Sequence, residues 1–195
     1  MKPTMVVLAG PNGAGKSTLY EARIAPSFAG PFINADIIQR DELRDPSPAA
    51  SYEAANIASS RRADCLAQGR DFVTETVFSH SSKLELIVQA RTAGFTIIVM
   101  HVGVDTPDLS VARVGARVEE GGHIVPEDKI RARYVRGAPF IRAAVLKVDR
   151  GMVFDNSSLN QPPSHCLTFA NGRLVFAVPR LPGWIRSVYE EELKI

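Results

Sequence analysis

The feature that most constrains this chain is GPNGAGKST at positions 10–18, set between the short apolar run TMVVL and a segment that reads as a helix. Gly10–Ser17 satisfies GxxxxGK[ST] with a strand before it and a helix after it, which is the context that gives the pattern its meaning. Glycines permit a tight turn whose backbone N–H groups converge on one point, and the positive end of the following helix adds to that field. The loop is therefore read as a phosphate cradle made by Gly10, Pro11, Asn12, Gly13, Ala14, Gly15, Lys16, Ser17 and Thr18. In this reading Lys16 bridges the β- and γ-phosphates of ATP, and Ser17 gives its hydroxyl to Mg²⁺.

Strand and helix patterns alternate along the rest of the chain. Thr4–Leu8, Pro31–Asn34, Phe72–Val77, Phe95–Val104 and Met152–Phe154 read as strands, the fourth most clearly, because continuous β-branched runs mark strands covered on both faces. Helices are expected over Lys16–Ile24, Asp36–Arg44, Pro48–Gly69 and Ser81–Gly94. Thr106-Pro107-Asp108 supplies a cap, a first-turn proline and an acid for a helix that closes at Gly121-Gly122. Pro126-Glu127-Asp128 opens another, interrupted near Gly137–Pro139 and running to about Val148. Cys166–Ala170 and Leu174–Val178 flank an Asn-Gly turn and read as a hairpin, and Trp184–Leu193 as a final helix. The expected fold is α/β, a P-loop kinase-type parallel sheet with helices on both faces, a helical lid over about 106–136, and a C-terminal hairpin and helix. With 195 residues, one domain over 1–195 is expected. In such sheets ligands sit beyond the carboxyl ends of the strands.

Composition removes several alternatives. Lys and Arg total 23 against 21 Asp and Glu, a net charge of +2, so no nucleic-acid footprint is signalled. No apolar stretch approaches a membrane span, and the few apolar residues before Gly10 are too short for a signal peptide, so a cytoplasmic location is expected. Cys65 and Cys166 are far apart and lack metal-site spacing, which points to reduced thiols. His101 reads as a satisfied core residue, His123 lies in the expected lid, and His80 and His165 read as loop residues.

The acids and arginines at strand ends carry the remaining chemistry. Asp36, in FINAD, stands twenty residues past Lys16, where a general base for an acceptor hydroxyl belongs; its alternative role is to cap the helix beginning at Ile37. Glu75, next to Thr76 in FVTETV, is an acid inside a core strand; it orients an acceptor or a Mg²⁺-bound water, or else faces solvent at an edge. Arg113 and Arg117 share one helical face, and Arg131 and Arg133 follow the Gly-Gly turn. Phosphoryl transfer spreads charge over the γ-oxygens, which arginines in a closing lid would meet, although a solvated charged face is the plainer explanation.

Together these stretches resemble the zeta-toxin family of small-molecule kinases: VVLAGPNGAGKST, FINADIIQRDEL, FVTETVFS, the run from GFTIIVMHVGV through GGHIVPEDKIRARY, and MVFDNS. The resemblance covers most of residues 5–157 and leaves the hairpin and final helix outside. It implies a nucleoside-monophosphate-kinase-like fold and transfer of the ATP γ-phosphate, in the best-known branch to the 3′-hydroxyl of the amino sugar in UDP-N-acetylglucosamine. It implies that Lys16 and Ser17 are the loop residues, Asp36 the catalytic base, and Glu75 and Thr76 substrate-side groups. Arg113 and Arg117 are then catalytic candidates and Arg131 and Arg133 nucleotide-binding ones, with an antitoxin protein as partner. Against the founding toxins, the first strand begins almost at once, so an N-terminal helical extension is not expected. Two other readings stand beside it: a kinase for another hydroxyl acceptor such as a nicotinamide dinucleotide, a nucleoside or an antibiotic, and a nucleotide-binding switch without an acceptor.

Overall fold

The computed structural model describes residues 2–119 and 125–194. Seven strands form one sheet in the order β2-β3-β1-β4-β5-β6-β7. β1 (Thr4–Ala9) lies at its centre, parallel to β3 (Phe72–Thr76) on one side and β4 (Thr96–Gly103) on the other. β2 (Phe32–Ile33) and β5 (Arg150–Asp155) continue the parallel set outwards. The apolar runs in β1 and β4 are explained by cover on both faces: Met5, Val7, Leu8, Ile97 and Val99 have no exposed surface. β6 (Ser164–Ala170) and β7 (Arg173–Ala177) add an antiparallel hairpin. Asn171 at φ 48° and Gly172 at φ 77° put both turn residues in the left-handed region that a two-residue hairpin of matching twist requires.

One face carries the larger core, under α3 (Pro48–Ala67), α4 (Lys83–Thr92) and α6 (Glu127–Lys147). α3 approaches closely because Ala50, Ala54 and Ala58 form its buried stripe, and Ser47 Oγ caps it by accepting from Ala50 N–H at 3.2 Å. The other face is covered by α1 (Lys16–Leu19), which continues as a π-helical turn over Tyr20–Ile24 and buries Leu19 and Ile24 against Val73, Val102 and Phe154. α2 (Ala35–Ile37) likewise continues as π-helical turns over Ile38–Leu43. α5 (Pro107–Glu119) starts where expected, with Leu109 N–H donating to Thr106 Oγ1 at 3.2 Å. The expected close at Gly121-Gly122, and His123, lie outside the described residues.

Three expectations are corrected. His165, read as a loop residue, lies within β6, opposite Phe154 of β5. α6 runs unbroken through Gly137–Pro139. The proline denies a hydrogen bond to the Val135 carbonyl one turn back, but Val135 is 71% exposed, a position where solvent can replace the missing donor, and the helix continues. The single helix expected over Trp184–Leu193 is two: α7 (Gly183–Val188) and α8 (Glu190–Leu193), parted at Tyr189. Tyr189 is fully buried, stacks on Phe169 and lies with its hydroxyl 2.8 Å from His101 Nδ1. Anchoring that ring in the core turns the chain at φ −110° and ends the first helix.

His101 is the satisfied core residue expected, and burial drives its pKa from 6.5 down to about 3. The unfolded chain takes up a proton near 6.5 while the native state refuses it, so stability is complete above 6.5 and falls as pH drops towards 3. We expect the unfolding free energy to fall by up to about 1.4 kcal/mol per pH unit in that window from this group alone. Urea titrations between pH 7.5 and 5 measure it; His101→Gln, which cannot take the proton, should flatten the slope, and an unchanged slope would refute the assignment.

Candidate active site

The loop between β1 and α1 is held from three sides. At Gly15, φ is +84°, and a Cβ there would lie 2.2 Å from Asn156 Nδ2. At Gly10, a Cβ would lie 2.0 Å from the Val102 carbonyl of β4. The loop's glycines are thus required by conformation and by close approach of neighbouring strands. Asn156, just past β5, is buried; its side chain donates to Ala14 O at 2.9 Å and its N–H to Gly103 O at 2.9 Å. It fixes the peptide that leads into Gly15 and Lys16, and so the direction of the amides that must meet phosphate.

Lys16 is only 6% exposed. Its Nζ donates to Pro11 O at 3.0 Å and lies 3.5 Å from Glu75 Oε1. The other carboxylate oxygen of Glu75 accepts from Ser17 Oγ at 2.9 Å and from Asn34 Nδ2 at 2.9 Å. The acid inside the core strand is therefore paired and hydrogen-bonded, which removes the cost of burying it. It joins Lys16 and Ser17, the two loop residues expected from sequence to meet phosphate and metal.

Asn34 also settles the cap of α2. Its Oδ1 accepts from Asp36 N–H at 2.8 Å and Ile37 N–H at 3.4 Å, so Asn34 holds the position considered for Asp36. Asp36 is exposed in the first turn, and its carboxylate makes no hydrogen bond or ion pair among the described residues. It is not among the residues that wall the main cleft.

That cleft, about 400 Å³, is walled by Lys16, Ser17, Glu75, Arg113, Arg117 and Asn156, together with the segment Ser158–Gln161. Arg113 donates to Ser158 O at 3.2 Å, while its Nη1 is buried and has no hydrogen-bond partner among the described residues. Burial lowers the pKa of this guanidinium, and the Asp155 carboxylate opposes that effect. A buried, unpaired N–H on a cationic group beside a phosphate loop fits a ligand oxyanion. Arg117 is exposed at the rim. Arg133 reaches the loop itself, its Nη1 donating to Asn12 Oδ1 at 3.2 Å. Arg131 is placed elsewhere: it pairs with Asp108 at 2.7 Å and Glu127 at 2.8 Å, tying α6 to α5. Thr76 is also outside the cleft wall, its Oγ1 accepting from Phe78 N–H at 3.1 Å.

Asn156 and Asn34 are the polar residues that sequence reasoning did not single out. Their only signal was position: an amide side chain directly after an apolar strand.

Magnesium fits this donor set. Among the described residues there is no cluster of three acids, histidines or cysteines that could cage a metal. Mg²⁺ does not need one, since phosphates and water fill most of its six positions. Ser17 Oγ and Glu75, hydrogen-bonded at 2.9 Å beside the loop, are the groups that would supply the protein's share.

Comparison with known proteins places the fold in context. A protein of unassigned function from Haemophilus influenzae is 27% identical over 139 residues, covering 69% of this chain and 94% of its own. Among solved structures, an ATP complex of AvrRxo1-ORF1:-ORF2 superposes with a TM-score of 0.70 at 14% identity, covering 89% of this chain; this chain spans 60% of that one. A protein of the PezAT toxin-antitoxin system of Streptococcus pneumoniae gives 0.61 at 16% identity, covering 80% of this chain and 69% of that one. A putative kinase from Chloroflexus aurantiacus gives 0.55 at 22% identity, covering 70% and 79%. The family described as Zeta toxin matches residues 1–160, and the chain belongs to that family.

Proposed function

We propose that the protein is an ATP-dependent kinase that transfers the γ-phosphate to an alcohol, with a nucleotide sugar such as UDP-N-acetylglucosamine as acceptor. The observation that carries this reading is the position of Glu75. One carboxylate touches both Lys16 and Ser17 and, through Asn34, holds the turn that bears Asp36, whose carboxylate has no partner among the described residues. A switch that only binds nucleotide has no use for an unengaged acid there.

In this mechanism the loop amides and Lys16 hold the β- and γ-phosphates; Ser17 and Glu75 are the residues that would hold a magnesium ion, which would supply neutralisation of phosphate charge. Asp36 accepts the proton of the acceptor hydroxyl as its oxygen bonds to Pγ and the bond from Pγ to the bridging oxygen breaks; ADP leaves with that oxygen. Arg113, with its unpaired N–H, and Arg133 meet the charge on the transferring group. Arg117 joins them from the rim, and Arg131 acts indirectly by bracing α5 against α6. An antitoxin is proposed as partner, on the strength of family membership and the S. pneumoniae relative.

The test is to incubate the protein with ATP, Mg²⁺ and UDP-N-acetylglucosamine and to resolve the products by anion-exchange chromatography. A new sugar-nucleotide peak carrying one more phosphate is expected. Product with a nicotinamide dinucleotide or a nucleoside instead would keep the kinase and replace the acceptor.

A further inference from the structure

A second cavity, about 250 Å³, adjoins the loop but shares no lining residue with the nucleotide cleft. Pro11, whose carbonyl holds Lys16 Nζ, is part of its wall, and so is Arg133, which is bonded to Asn12. It lies beyond the carboxyl end of β4, between α6 and α7. α7 lies beyond the residues that the family match covers, so this chain builds part of the cavity from its own C-terminal segment. Gly103 makes room for that: a Cβ there would meet the Trp184 ring at 2.4 Å.

The cavity's chemistry is selective. Its walls are apolar at Val104, Ile141, Trp184 and Val188. Two of its polar groups are already committed: Tyr134 OH donates to Val104 O at 2.7 Å, and Trp184 Nε1 to Asp155 Oδ1 at 2.7 Å. His101, 2% exposed, bonds Tyr189 through Nδ1, while its Nε2 makes no hydrogen bond among the described residues. Since burial keeps that imidazole neutral, it offers a guest one hydrogen bond and no charge. Arg133 and Asp105, of opposite sign, and the exposed Ser187 complete the polar part of the lining.

A sugar ring, with hydroxyls on all sides, would leave several unpaired against these walls, and each costs free energy. A phosphate would meet Asp105 as well as Arg133. A flat, uncharged ring with one polar edge fits. The volume is below the roughly 300–1,000 Å³ that takes a drug-sized ligand, so the cavity has room for one ring and not for a whole nucleotide.

We infer that this cavity recognises the acceptor by an uncharged heteroaromatic ring of nucleobase class, with the hydroxyl-bearing part extending past Arg133 and Pro11 toward Lys16. The word acceptor rests on the kinase reading; binding of the ring does not.

Trp184 is the only tryptophan in the chain and lines the cavity, so its fluorescence, excited on the red edge, reports occupancy directly. With ADP and Mg²⁺ saturating the cleft, uridine, adenosine and N-acetylglucosamine are titrated up to about 10 mM, the weak end of specific binding. At least one of the two ring compounds should quench or shift the emission, and N-acetylglucosamine should not. Ala138→Leu fills the cavity from α6, and Ser187→Leu fills it from an exposed position that needs no repacking. Both should weaken the ring response at least tenfold while leaving ADP affinity unchanged. No response from any ring compound, a response from N-acetylglucosamine alone, or a ring response that survives both variants would overturn the inference. Failure of the kinase reading shows separately, as ADP release that does not depend on acceptor.

Discussion

Asp36→Asn is expected to leave ADP binding within about twofold and to lower phosphate transfer by about 10²–10⁴-fold, the usual size of a general-base contribution. The substitution keeps the shape and a hydrogen-bonding group but removes the basic oxygen. Its structural cost is small, because the cap of α2 belongs to Asn34 and Asp36 makes no other hydrogen bond among the described residues. A fall in transfer therefore cannot be ascribed to a melted helix. Product formed per minute at saturating ATP, for both proteins, is the measurement. Equal rates would make Asp36 an exposed first-turn acid and nothing more.

Lys16→Ala is expected to weaken nucleotide binding more than the loss of one phosphate contact would. The lysine lies 3.5 Å from Glu75, and removing it leaves a nearly buried carboxylate facing the phosphates without its cation. Truncating one partner of such a pair costs about 2–5 kcal/mol, a loss of roughly 30-fold to more than 10³-fold in affinity. The fold survives, because Ser17 and Asn34 still donate to Glu75. Lys16→Met combined with Glu75→Gln removes both charges and should bind ADP more tightly than Lys16→Ala alone. Titration calorimetry on the three proteins tests this, and unaltered affinity in a folded Lys16→Ala would refute the loop assignment.

The phosphate loop and the parallel core were legible in the sequence because each is written locally, one in glycine spacing and the other in β-branched runs. Glu75 was legible as an acid that a core strand could not leave unpaired, but its partners lie 58 and 41 residues away, on α1 and just after β2, and no local pattern names them. Asn156 was hidden for the same reason: its bond to Ala14 spans 142 residues. The arginines divide on simple geometry. Arg131 and Arg133 are two apart on a helix and cannot face the same way, so only one reaches the loop while the other braces α5. The helix at Pro139 was misread because the effect of a proline depends on whether the carbonyl it strands can reach water, which is a property of the fold.

The account's central claim is that this site passes phosphate to an alcohol and not to water. ADP release followed in a coupled assay, with and without each member of an acceptor panel, tests it most directly: UDP-N-acetylglucosamine, a nicotinamide dinucleotide, a nucleoside and an aminoglycoside. The account predicts that at least one of them raises the rate at least tenfold and that Asp36→Asn abolishes the increase while sparing the basal rate. A basal rate of ATP hydrolysis that no acceptor changes, and that Asp36→Asn leaves untouched, would contradict it.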